Sequence, residues 1–392
     1  MFQGVKRLAI AIVALWLTSC VGGDGNGPDP LPIPPAPSAG VVGDGRLAEL
    51  ADWARGTQDA PAMAVVLVRS GQVAESAAVG KRSADSSVAV TTADRWHMGS
   101  LTKAMTGTLA GVLVDTGVIA WDTTPQEVWP ESPVELHADF RNITLRHFLS
   151  HTSGMKRDDQ FGAAQDDAPG TLIEKRRQWA AHLLGQAAQF SADEVHYSNV
   201  GYMVAAAMLE ARGGAPWETL LIDRVFAPLG MTHSGFGAPG TAGQMDQPRG
   251  HRSRASGFSP VDPGSPGSNV PAAAGPAGTV HTTLGDYARF MIANINGARG
   301  TPNVLGVESL RVLHEAPAGG YSLGWGAVPS LQTLDAPGFE NTGSIGLWFS
   351  RVWLAPTLDT GVMIVVNGGG DRGLAAMEQM DLLMRQRVVA SQ

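Results

Sequence analysis

The sequence predicts an α/β fold in which the N- and C-terminal segments build one antiparallel sheet flanked by helices, with a mostly helical subdomain inserted between them. Two observations predict it. Apolar runs separated by glycine turns occur near both ends, and segments with apolar residues at helical spacing fill the middle. The chain has 392 residues, 44% of them hydrophobic, which is enough to bury a substantial core and to form two subdomains.

Two β-hairpins are predicted to carry the sheet. Residues 63–68 and 73–79 are rich in β-branched and apolar side chains and flank a turn that contains Gly71. Residues 349–354 and 362–366 flank a second turn, and we expect the C-terminal part of the chain to be mostly strand. Because strands are predicted near both ends of the chain and helices between them, we expect the two ends to form one sheet.

The region between the hairpins has a mostly helical pattern, with helices predicted at residues 172–184, 197–212, 217–226 and 282–296 and a short helical segment at 143–149. Two further helices are predicted outside the hairpins, at 46–53 and 371–388. Glycine, proline and serine dominate residues 235–278, where we expect a long irregular connection, either a lid or a surface loop.

The helix predicted to begin near residue 100 carries the candidate nucleophile. The apolar side chains that define its inward face are Leu101, Met105, Leu109, Val112 and Leu113. Gly117 follows as a favourable C-cap. This spacing places Ser100 in the first turn and Lys103 on the same side, about one turn later.

Ser100 and Lys103 form a pair that suits nucleophilic catalysis. A serine hydroxyl attacks poorly unless a neighbour removes its proton, and a buried lysine with a lowered pKa, or a base polarised by that lysine, does so. Such pairs also arise by chance, and Ser153 and Lys156 form a second one. Gly154 directly follows that serine and a polar run comes next, which indicates a loop.

Tyr197 and Asn199 are candidate partners of this pair. A phenol near an ammonium loses its proton more readily and would accept one from Ser100. The Asn199 amide would hydrogen-bond both the lysine and a substrate carbonyl or amide group. The structural alternative is a core tyrosine followed by an N-cap asparagine at the start of a helix.

The segment Asn341-Thr342-Gly343-Ser344 lies among the C-terminal strands. On an edge strand, glycine lets the backbone approach a ligand closely. The backbone N–H groups of Ser100 and Ser344 would then form an oxyanion hole. The alternative is a plain glycine turn.

Together these motifs resemble the serine β-lactamase and DD-peptidase superfamily, in particular its class C-like branch, which includes carboxylesterases and D-aminopeptidases. The stretches that carry the resemblance are Ser100-Leu101-Thr102-Lys103, Leu149-Ser150-His151-Thr152-Ser153-Gly154, Tyr197-Ser198-Asn199, Ala227-Pro228-Leu229-Gly230-Met231, Pro276-Ala277-Gly278, Asp286-Tyr287-Ala288-Arg289-Phe290 and Tyr321-Ser322-Leu323-Gly324-Trp325-Gly326. The resemblance covers nearly all of residues 45–390. It implies the fold of that superfamily and an acyl-enzyme formed on Ser100, with Lys103 and Tyr197 sharing the role of base.

One position departs from the family pattern. The third motif is usually Lys-Thr-Gly, or His-x-Gly in many relatives, and here it is Asn341-Thr342-Gly343. The cation that would bind a substrate carboxylate is missing, and no lysine occurs after Lys175. Arg351 does not match the motif in position. The resemblance therefore implies poor turnover of penicillins or D-Ala-D-Ala peptides, and a smaller loss for neutral esters and amides.

The N-terminal residues predict an exported lipoprotein. A basic start at Lys6-Arg7, an apolar run over residues 8–17 and small residues after it are typical of a secretory signal at 1–19. Leu17-Thr18-Ser19-Cys20 resembles the lipobox of bacterial lipoproteins, in which the cysteine is acylated. An ordinary signal peptide with a coincidental Cys20 is the alternative. The lipid on Cys20 would be the only membrane contact, on the periplasmic or cell-surface side.

Glycine and proline then dominate residues 20–44, which we expect to form an extended tether between the anchor and the folded region. The folded region is predicted over residues 45–390. Its sheet part covers about 45–98 and 279–390, and its helical part covers about 99–278.

Other function classes find little support in the sequence. A net charge of -8 without a basic patch argues against nucleic acid as a partner. The stretch Gly320-Tyr321-Ser322-Leu323-Gly324 fits a nucleophile elbow, but that motif needs a later histidine and the last one is His314. The ten histidines form no zinc-hydrolase motif, and no metal or organic cofactor is implied.

The sequence thus predicts a serine hydrolase that forms an acyl-enzyme on Ser100 with a small ester, amide or β-lactam substrate. Carboxylesterase or peptidase-like activity is favoured over efficient β-lactamase activity because of Asn341. The alternative is a non-catalytic domain, either a penicillin-binding sensor or a scaffold, which only the missing cation favours.

Overall fold

A computed structural model describes residues 28–131, 135–155, 169–302, 304–315 and 320–392. The predicted signal peptide, Cys20 and Lys156 lie outside these residues. No helix among those described is long and apolar enough to cross a membrane.

Eleven strands are described in these ranges, and most helices are short. The strands are β1 (Ala62–Arg69), β2 (Gln72–Gly80), β3 (Trp96–His97), β4 (Gly235–Phe236), β5 (Gly250–Arg254), β6 (Gly257–Val261), β7 (Val280–Thr282), β8 (Gly326–Val328), β9 (Gly338–Ser344), β10 (Phe349–Ala355) and β11 (Thr360–Val366). The α-helices are α1 (Leu47–Gly56), α2 (Thr102–Asp115), α3 (Pro125–Val128), α4 (Leu145–Leu149), α5 (Leu172–Leu184), α6 (Asn199–Gly213), α7 (Trp217–Leu221), α8 (Ala227–Leu229), α9 (Gly275–Gly278), α10 (Leu284–Ala298), α11 (Val307–His314) and α12 (Gly370–Val389). Single 3₁₀ turns occur at Gly99–Leu101, Ala138–Phe140, Ala272–Ala274, Gln332–Leu334 and Pro356–Leu358, and a π turn at Ile222–Phe226.

The central sheet joins the two ends of the chain. Its six strands run in the order β2-β1-β11-β10-β9-β8, and each pair is antiparallel. Strand β1 pairs with β11 from Met63 opposite Val366 to Arg69 opposite Thr360. The predicted fold class, with one antiparallel sheet built from both ends and flanked by helices, is confirmed.

Strands β1, β10 and β11 are buried on both faces of the sheet, and successive side chains of each strand point to opposite faces. Met63 and Val65 on β1 pack in a cluster with α1 and α12, whereas Ala64 and Val66 pack in a second cluster with the helical region. Met377, Met380 and Met384 on α12 pack in the first of these clusters with no exposed surface. The nucleophile helix lies in the second cluster.

Helix α2 is buried on every side, not on one face as its apolar spacing predicts. All residues from 102 to 113 are buried. Small residues make this possible: a side chain at Gly107 would collide with the Leu323 carbonyl, and one at Gly111 would lie 2.9 Å from Leu305. The spacing located the helix correctly, but the close approach of its glycine face to later segments cannot be read from it. Gly117, with φ 71°, follows the helix end as predicted.

Two further predictions need correction. Residues 235–278 are not wholly irregular, since they contain β4, the hairpin β5–β6, a 3₁₀ turn and α9. The many glycines and prolines obscure the sequence pattern of these short strands, which pair with distant segments, as β4 does with β7. Helix α11 lies in the C-terminal part that we expected to be mostly strand, and the helix predicted at 282–296 begins at Leu284 after strand β7.

Residues 28–46, which include the described part of the predicted tether, form no helix or strand, and they contact the folded region. Gln58 exchanges hydrogen bonds with the backbone of Leu31, at 2.8 and 3.0 Å. Asp44 forms an ion pair with Arg387, whose buried guanidinium also contacts Glu75 at 2.7 Å. Residues from Leu31 onwards are therefore held against the domain.

Buried neutral histidines predict that the fold is lost in mild acid. Burial lowers the pKa of four of them from 6.5 to about 4, namely His97, His251, His281 and His314. The unfolded chain then binds more protons than the native chain below pH 6.5, so the free energy of unfolding falls as the pH drops from 6.5 to about 4. Each histidine contributes at most roughly 3 kcal/mol to this fall.

The measurement is the thermal midpoint between pH 8 and pH 4.5, which we expect to be flat above pH 7 and to drop steeply below pH 6. His314→Phe should reduce the drop, because His314 stacks on Phe339 with ring centroids 4.2 Å apart and the phenyl ring keeps that contact without titrating. A midpoint that stays constant down to pH 4.5 would contradict this prediction.

Candidate active site

The turn that presents Ser100 is set by the backbone between β3 and α2. Gly99 has φ 51°, a left-handed conformation that favours glycine, and opens the 3₁₀ turn Gly99–Leu101. Met98 donates its N–H to the Val280 carbonyl on β7 at 2.8 Å, which fixes the end of β3. Ser100 is 6% exposed, so its side chain is largely buried.

Three predicted side chains meet at the Ser100 hydroxyl. The Lys103 ammonium donates to Ser100 Oγ at 3.0 Å, and the Tyr197 hydroxyl lies 2.7 Å from the same oxygen. Lys103 is fully buried, and its Nζ lies 4.8 Å from the centre of the Tyr197 ring. A serine with an ammonium donor and a phenol at these distances has the geometry for removal of its proton during attack.

A second contact holds the Lys103 ammonium in place. Its Nζ donates to the Ala277 carbonyl at 2.7 Å, and one turn along the same helix Thr106 donates to the Pro276 carbonyl, also at 2.7 Å. Both carbonyls belong to α9, which therefore runs along the start of α2. The spacing of Ser100 and Lys103 in the sequence does not predict these backbone partners.

The 3₁₀ turn Ala272–Ala274, which leads to α9, is itself anchored by a buried arginine. Arg176 on α5 donates to the carbonyls of Ala272 and Ala273 at 3.0 and 3.1 Å. It is fully buried and forms ion pairs with Glu210 and Glu218. These ion pairs connect α5 and α6 to the segment that leads to α9, whose Ala277 carbonyl accepts the hydrogen bond from Lys103.

Tyr197 lies at the start of α6. The N-cap of this helix is Ser198, whose hydroxyl accepts the Gly201 N–H at 3.1 Å, so Asn199 is the first helical residue and not the cap. Tyr197 and Asn199 are both half-buried. The cap fixes the backbone just beyond the tyrosine and thereby the approach of its ring to Ser100.

His151 supports the Tyr197 ring from behind, a role that sequence reasoning missed. Its ring centre lies 4.4 Å from that of Tyr197 and 4.5 Å from that of Tyr321. Ser198 donates its N–H to His151 Nδ1 at 3.1 Å, which places the ring proton on Nε2. Burial and then the charge of Lys103 lower the pKa of His151 well below its ordinary value. The stretch around His151 was recognised only as part of a resemblance.

Strand β9 brings the third motif to the nucleophile. Asn341 Nδ2 donates to the Gly324 carbonyl at 2.8 Å and lies 3.4 Å from the Ser100 carbonyl. Strand β8 ends opposite Glu340, so β9 has no strand on that side beyond this residue. The prediction of an edge position therefore holds only for residues 341–344.

The predicted oxyanion donors lie where β9 touches the nucleophile turn. A Cβ atom at Gly99 would stand 2.7 Å from the Ser344 nitrogen, and one at Gly343 would stand 2.9 Å from the Ser100 nitrogen. The absence of side chains at these two glycines thus brings the two backbone amides to one place. The use of these two amides as an oxyanion hole stays a prediction.

No described cation takes the place of the family's third-motif lysine at Asn341. Arg351 lies opposite Thr342 on β10, and its Nε donates to the Thr342 hydroxyl at 3.3 Å. Its guanidinium also pairs with Asp381 on α12 at 3.1 Å, and the side chain is 9% exposed. Arg351 is thus held on the α12 side of the sheet, and Thr342 is tied to it.

The competing serines lie elsewhere. Ser322 is fully buried and donates to the carbonyl oxygens of Leu313 and Val312, so the apparent nucleophile elbow is a structural turn. Ser153 lies in a buried turn and accepts the Met155 N–H at 3.4 Å. Within the described ranges, no group of three or more His, Cys, Asp and Glu side chains is placed to hold a metal ion.

Comparison with known proteins identifies a matching family and several relatives. The model of the family described as Beta-lactamase matches residues 47–383. Penicillin-binding protein 4 of Amycolatopsis lactamdurans is 30% identical over 293 residues, which are 72% of this chain and 74% of that protein. Unguisins hydrolase ungD' of Aspergillus campestris is 28% identical over 71% of this chain but only 48% of its own length.

Solved structures share the fold at lower identity. The octameric penicillin-binding protein homologue from Pyrococcus abyssi superposes with a TM-score of 0.70 at 20% identity, over 87% of this chain and 77% of that one. The D-amino acid amidase from Ochrobactrum anthropi SV3, complexed with L-phenylalanine amide, has a TM-score of 0.67 at 20% identity, over 88% of this chain and 96% of that one.

Proposed function

Because the chain belongs to the Beta-lactamase family and is a serine hydrolase, we propose that Ser100 is its nucleophile and that neutral esters and amides are its preferred substrates. The observation that carries the first part is the triangle of Ser100 Oγ, Lys103 Nζ and Tyr197 OH, with both contacts to the serine oxygen at 3.0 Å or less. The second part rests on Asn341.

The reaction proceeds in two halves. Ser100 Oγ attacks the carbonyl carbon while its proton passes to the oxygen of Tyr197, whose negative charge the Lys103 ammonium stabilises, and the negative oxygen that forms on the substrate is held by the N–H groups of Ser100 and Ser344. Tyr197 then returns the proton to the leaving group. A water molecule attacks the acyl-enzyme and releases Ser100.

The preference for neutral substrates follows from the charges near β9. Penicillins and D-Ala-D-Ala peptides carry a carboxylate, which loses its hydration on binding and needs a compensating cation. Asn341 offers only an amide, and its donor group is engaged with the Gly324 carbonyl. Arg351 is held by Asp381. An ester or amide without a carboxylate avoids this cost.

The names of the relatives support the amide part of this proposal, and the ester part rests on the chemistry of the site alone. One relative is called a penicillin-binding protein, another a hydrolase of unguisins, and one solved structure is a D-amino acid amidase. The amide in that last structure, L-phenylalanine amide, has no carboxylate, which fits the class of substrate proposed for this chain. The competing hypothesis, a penicillin-binding sensor or scaffold, predicts a stable penicilloyl adduct or no chemistry at all.

The test is intact mass spectrometry after exposure to benzylpenicillin or to a fluorophosphonate, with turnover of p-nitrophenyl butyrate measured in parallel. We expect rapid phosphonylation at Ser100, measurable ester turnover and slow or absent penicilloyl adduct. Asn341→Lys should raise the rate of penicilloylation about tenfold, because a charge-assisted hydrogen bond contributes roughly 1.4 kcal/mol or more.

Each other outcome rejects a defined part of the proposal. A penicilloyl adduct that forms quickly and decays within minutes would indicate a β-lactamase and contradict the preference for neutral substrates. An adduct that persists would favour a penicillin-binding sensor. No adduct from either reagent, together with no ester turnover, would favour an inert scaffold.

A further inference from the structure

We propose that His97 is a positioning residue for the nucleophile, which it holds by accepting a hydrogen bond from the backbone N–H of Gly99. The inference rests on the proposed role of Ser100 and adds a residue outside the three side chains that meet at its hydroxyl. His97 lies on β3, two residues before the left-handed turn at Gly99, and it is fully buried.

The hydrogen bonds of His97 define which nitrogen carries the proton. Gly99 donates its N–H to His97 Nδ1 at 3.1 Å, and a backbone N–H can only donate. Nδ1 is therefore unprotonated, and Nε2 donates to Asn269 Oδ1 at 2.8 Å. The imidazole has both nitrogens satisfied in one tautomer, so the ring connects the Gly99 turn to Asn269.

The far end of this connection is fixed to a second sheet, which has three strands in the order β3-β7-β4. Asn269 Nδ2 donates to the Thr279 hydroxyl at 2.9 Å, and the same hydroxyl accepts the Gly237 N–H at 3.0 Å. Gly237 follows β4, and Thr279 precedes β7. The ring thus transmits the position of β4 and β7 to the turn, which a freely rotating side chain would not do.

The surroundings keep the ring neutral. Burial lowers the pKa of His97 to about 4, and His281, its partner across β3 and β7, acts in the same direction. His281 is itself neutral near pH 7, because burial lowers its pKa to about 4. A neutral ring is required here, since a protonated Nδ1 would face the Gly99 N–H as a second donor.

The Gly99 contact matters because a small shift of this turn would displace both the hydroxyl and the backbone amide of Ser100. The Gly99 backbone lies against β9, where a Cβ would stand 2.7 Å from the Ser344 nitrogen. Rotation of this turn would move Ser100 Oγ away from Lys103 and Tyr197 and would move the Ser100 amide away from Ser344. A displacement of about 1 Å in a reacting group costs on the order of 100-fold in rate.

Two variants separate this role from general packing. In His97→Asn the side-chain oxygen stands near the position of Nδ1 and accepts the N–H two residues ahead, as asparagine does in Asx-turns. In His97→Gln the longer amide reaches toward Asn269 but leaves the Gly99 N–H without its acceptor. Both variants lose the ring and its stacking on Trp348, at 6.4 Å between centroids, so they are matched for lost packing.

The readouts are the second-order rate constant for phosphonylation by a fluorophosphonate, kcat and KM for p-nitrophenyl butyrate, and the thermal midpoint. We expect His97→Asn to stay within about threefold of the wild-type rate constant. His97→Gln should be slower by roughly 10- to 100-fold, with the loss in kcat and little change in KM.

Equal rates for both variants would overturn the proposal, as would a His97→Asn enzyme as slow as His97→Gln. If His97→Gln does not fold, Asn269→Ala provides the test in its place. In this variant the imidazole loses the acceptor that holds its proton on Nε2 and leaves Nδ1 free to accept the Gly99 N–H, so phosphonylation should slow. The side-chain oxygen of His97→Asn accepts without help from Asn269, so Asn269→Ala should have no further effect in that variant. An additive loss in the double variant would reject the connection. If the wild type itself is not phosphonylated, the proposed function fails first, and that result is distinct from all of these.

Discussion

Replacing Ser100 by alanine is expected to lower the turnover of p-nitrophenyl butyrate by a factor on the order of 10⁵ or more, because it removes the atom that forms the acyl-enzyme. The same change should abolish the fluorophosphonate adduct. Ser100 Oγ is the atom that both Lys103 Nζ and Tyr197 OH approach, and no second serine hydroxyl is described in that position. Since only one oxygen is removed, the thermal midpoint should change little.

The chain offers two matched serine-to-alanine controls. Ser153→Ala and Ser322→Ala should both retain most of the turnover, because neither hydroxyl has a described contact with Lys103 or Tyr197. Ser322→Ala should be less stable by about 1 kcal/mol, since it leaves the Leu313 and Val312 carbonyls without their donor. Turnover at the wild-type level in Ser100→Ala would reject the mechanism. Loss of turnover in folded Ser322→Ala would indicate that Ser322 is the nucleophile instead.

The side chains that meet at Ser100 Oγ were predictable because their chemistry is visible in short motifs. Ser100 and Lys103 are one helical turn apart, and Tyr197 precedes a helix of its own. The distance of 97 residues between Ser100 and Tyr197 carries no geometric information, so only the resemblance joined them before the structure did. Their roles in the reaction still await the experiments above.

The residues that support these side chains were not predictable in the same way. His97 and His151 are isolated histidines in the sequence, and a lone histidine is more often a core residue than a ligand or a base. Their importance lies in contacts with backbone N–H groups, of Gly99 and Ser198, which leave no pattern along the chain. The Ala277 carbonyl that accepts from Lys103 likewise has no sequence signal.

The fold shows the same division between local and tertiary information. The hairpins β1–β2 and β10–β11 follow from runs of apolar and β-branched residues on either side of a turn, and both were predicted. Strands β5 and β6 were missed because their sequences hold glycine, serine and arginine, and only their mutual pairing defines them. The complete burial of α2 was missed because its threonines and glycines read as a polar face.

Replacing Lys103 by methionine is expected to lower turnover by roughly 10³- to 10⁴-fold while leaving the thermal midpoint unchanged or higher. The methionine side chain has a similar volume but no donor, so Ser100 Oγ and Tyr197 OH lose the ammonium that assists proton transfer. Lys103 is fully buried, and a buried ammonium is costly to the fold because water no longer solvates it. Its removal relieves that cost, and this gain opposes the loss of the hydrogen bond to the Ala277 carbonyl, which amounts to about 1–3 kcal/mol.

The opposite signs of the two effects distinguish a functional lysine from a structural one. A lysine retained for stability would give a variant with a lower midpoint and proportionally less folded enzyme, whereas the site described here predicts an inactive protein that melts at or above the wild type. Lys81→Met is the matched control, because Lys81 is exposed and the same chemical change there should alter neither quantity. If Lys103→Met keeps more than about a tenth of the wild-type turnover, Tyr197 accepts the Ser100 proton without help from the ammonium, and the role proposed for Lys103 fails.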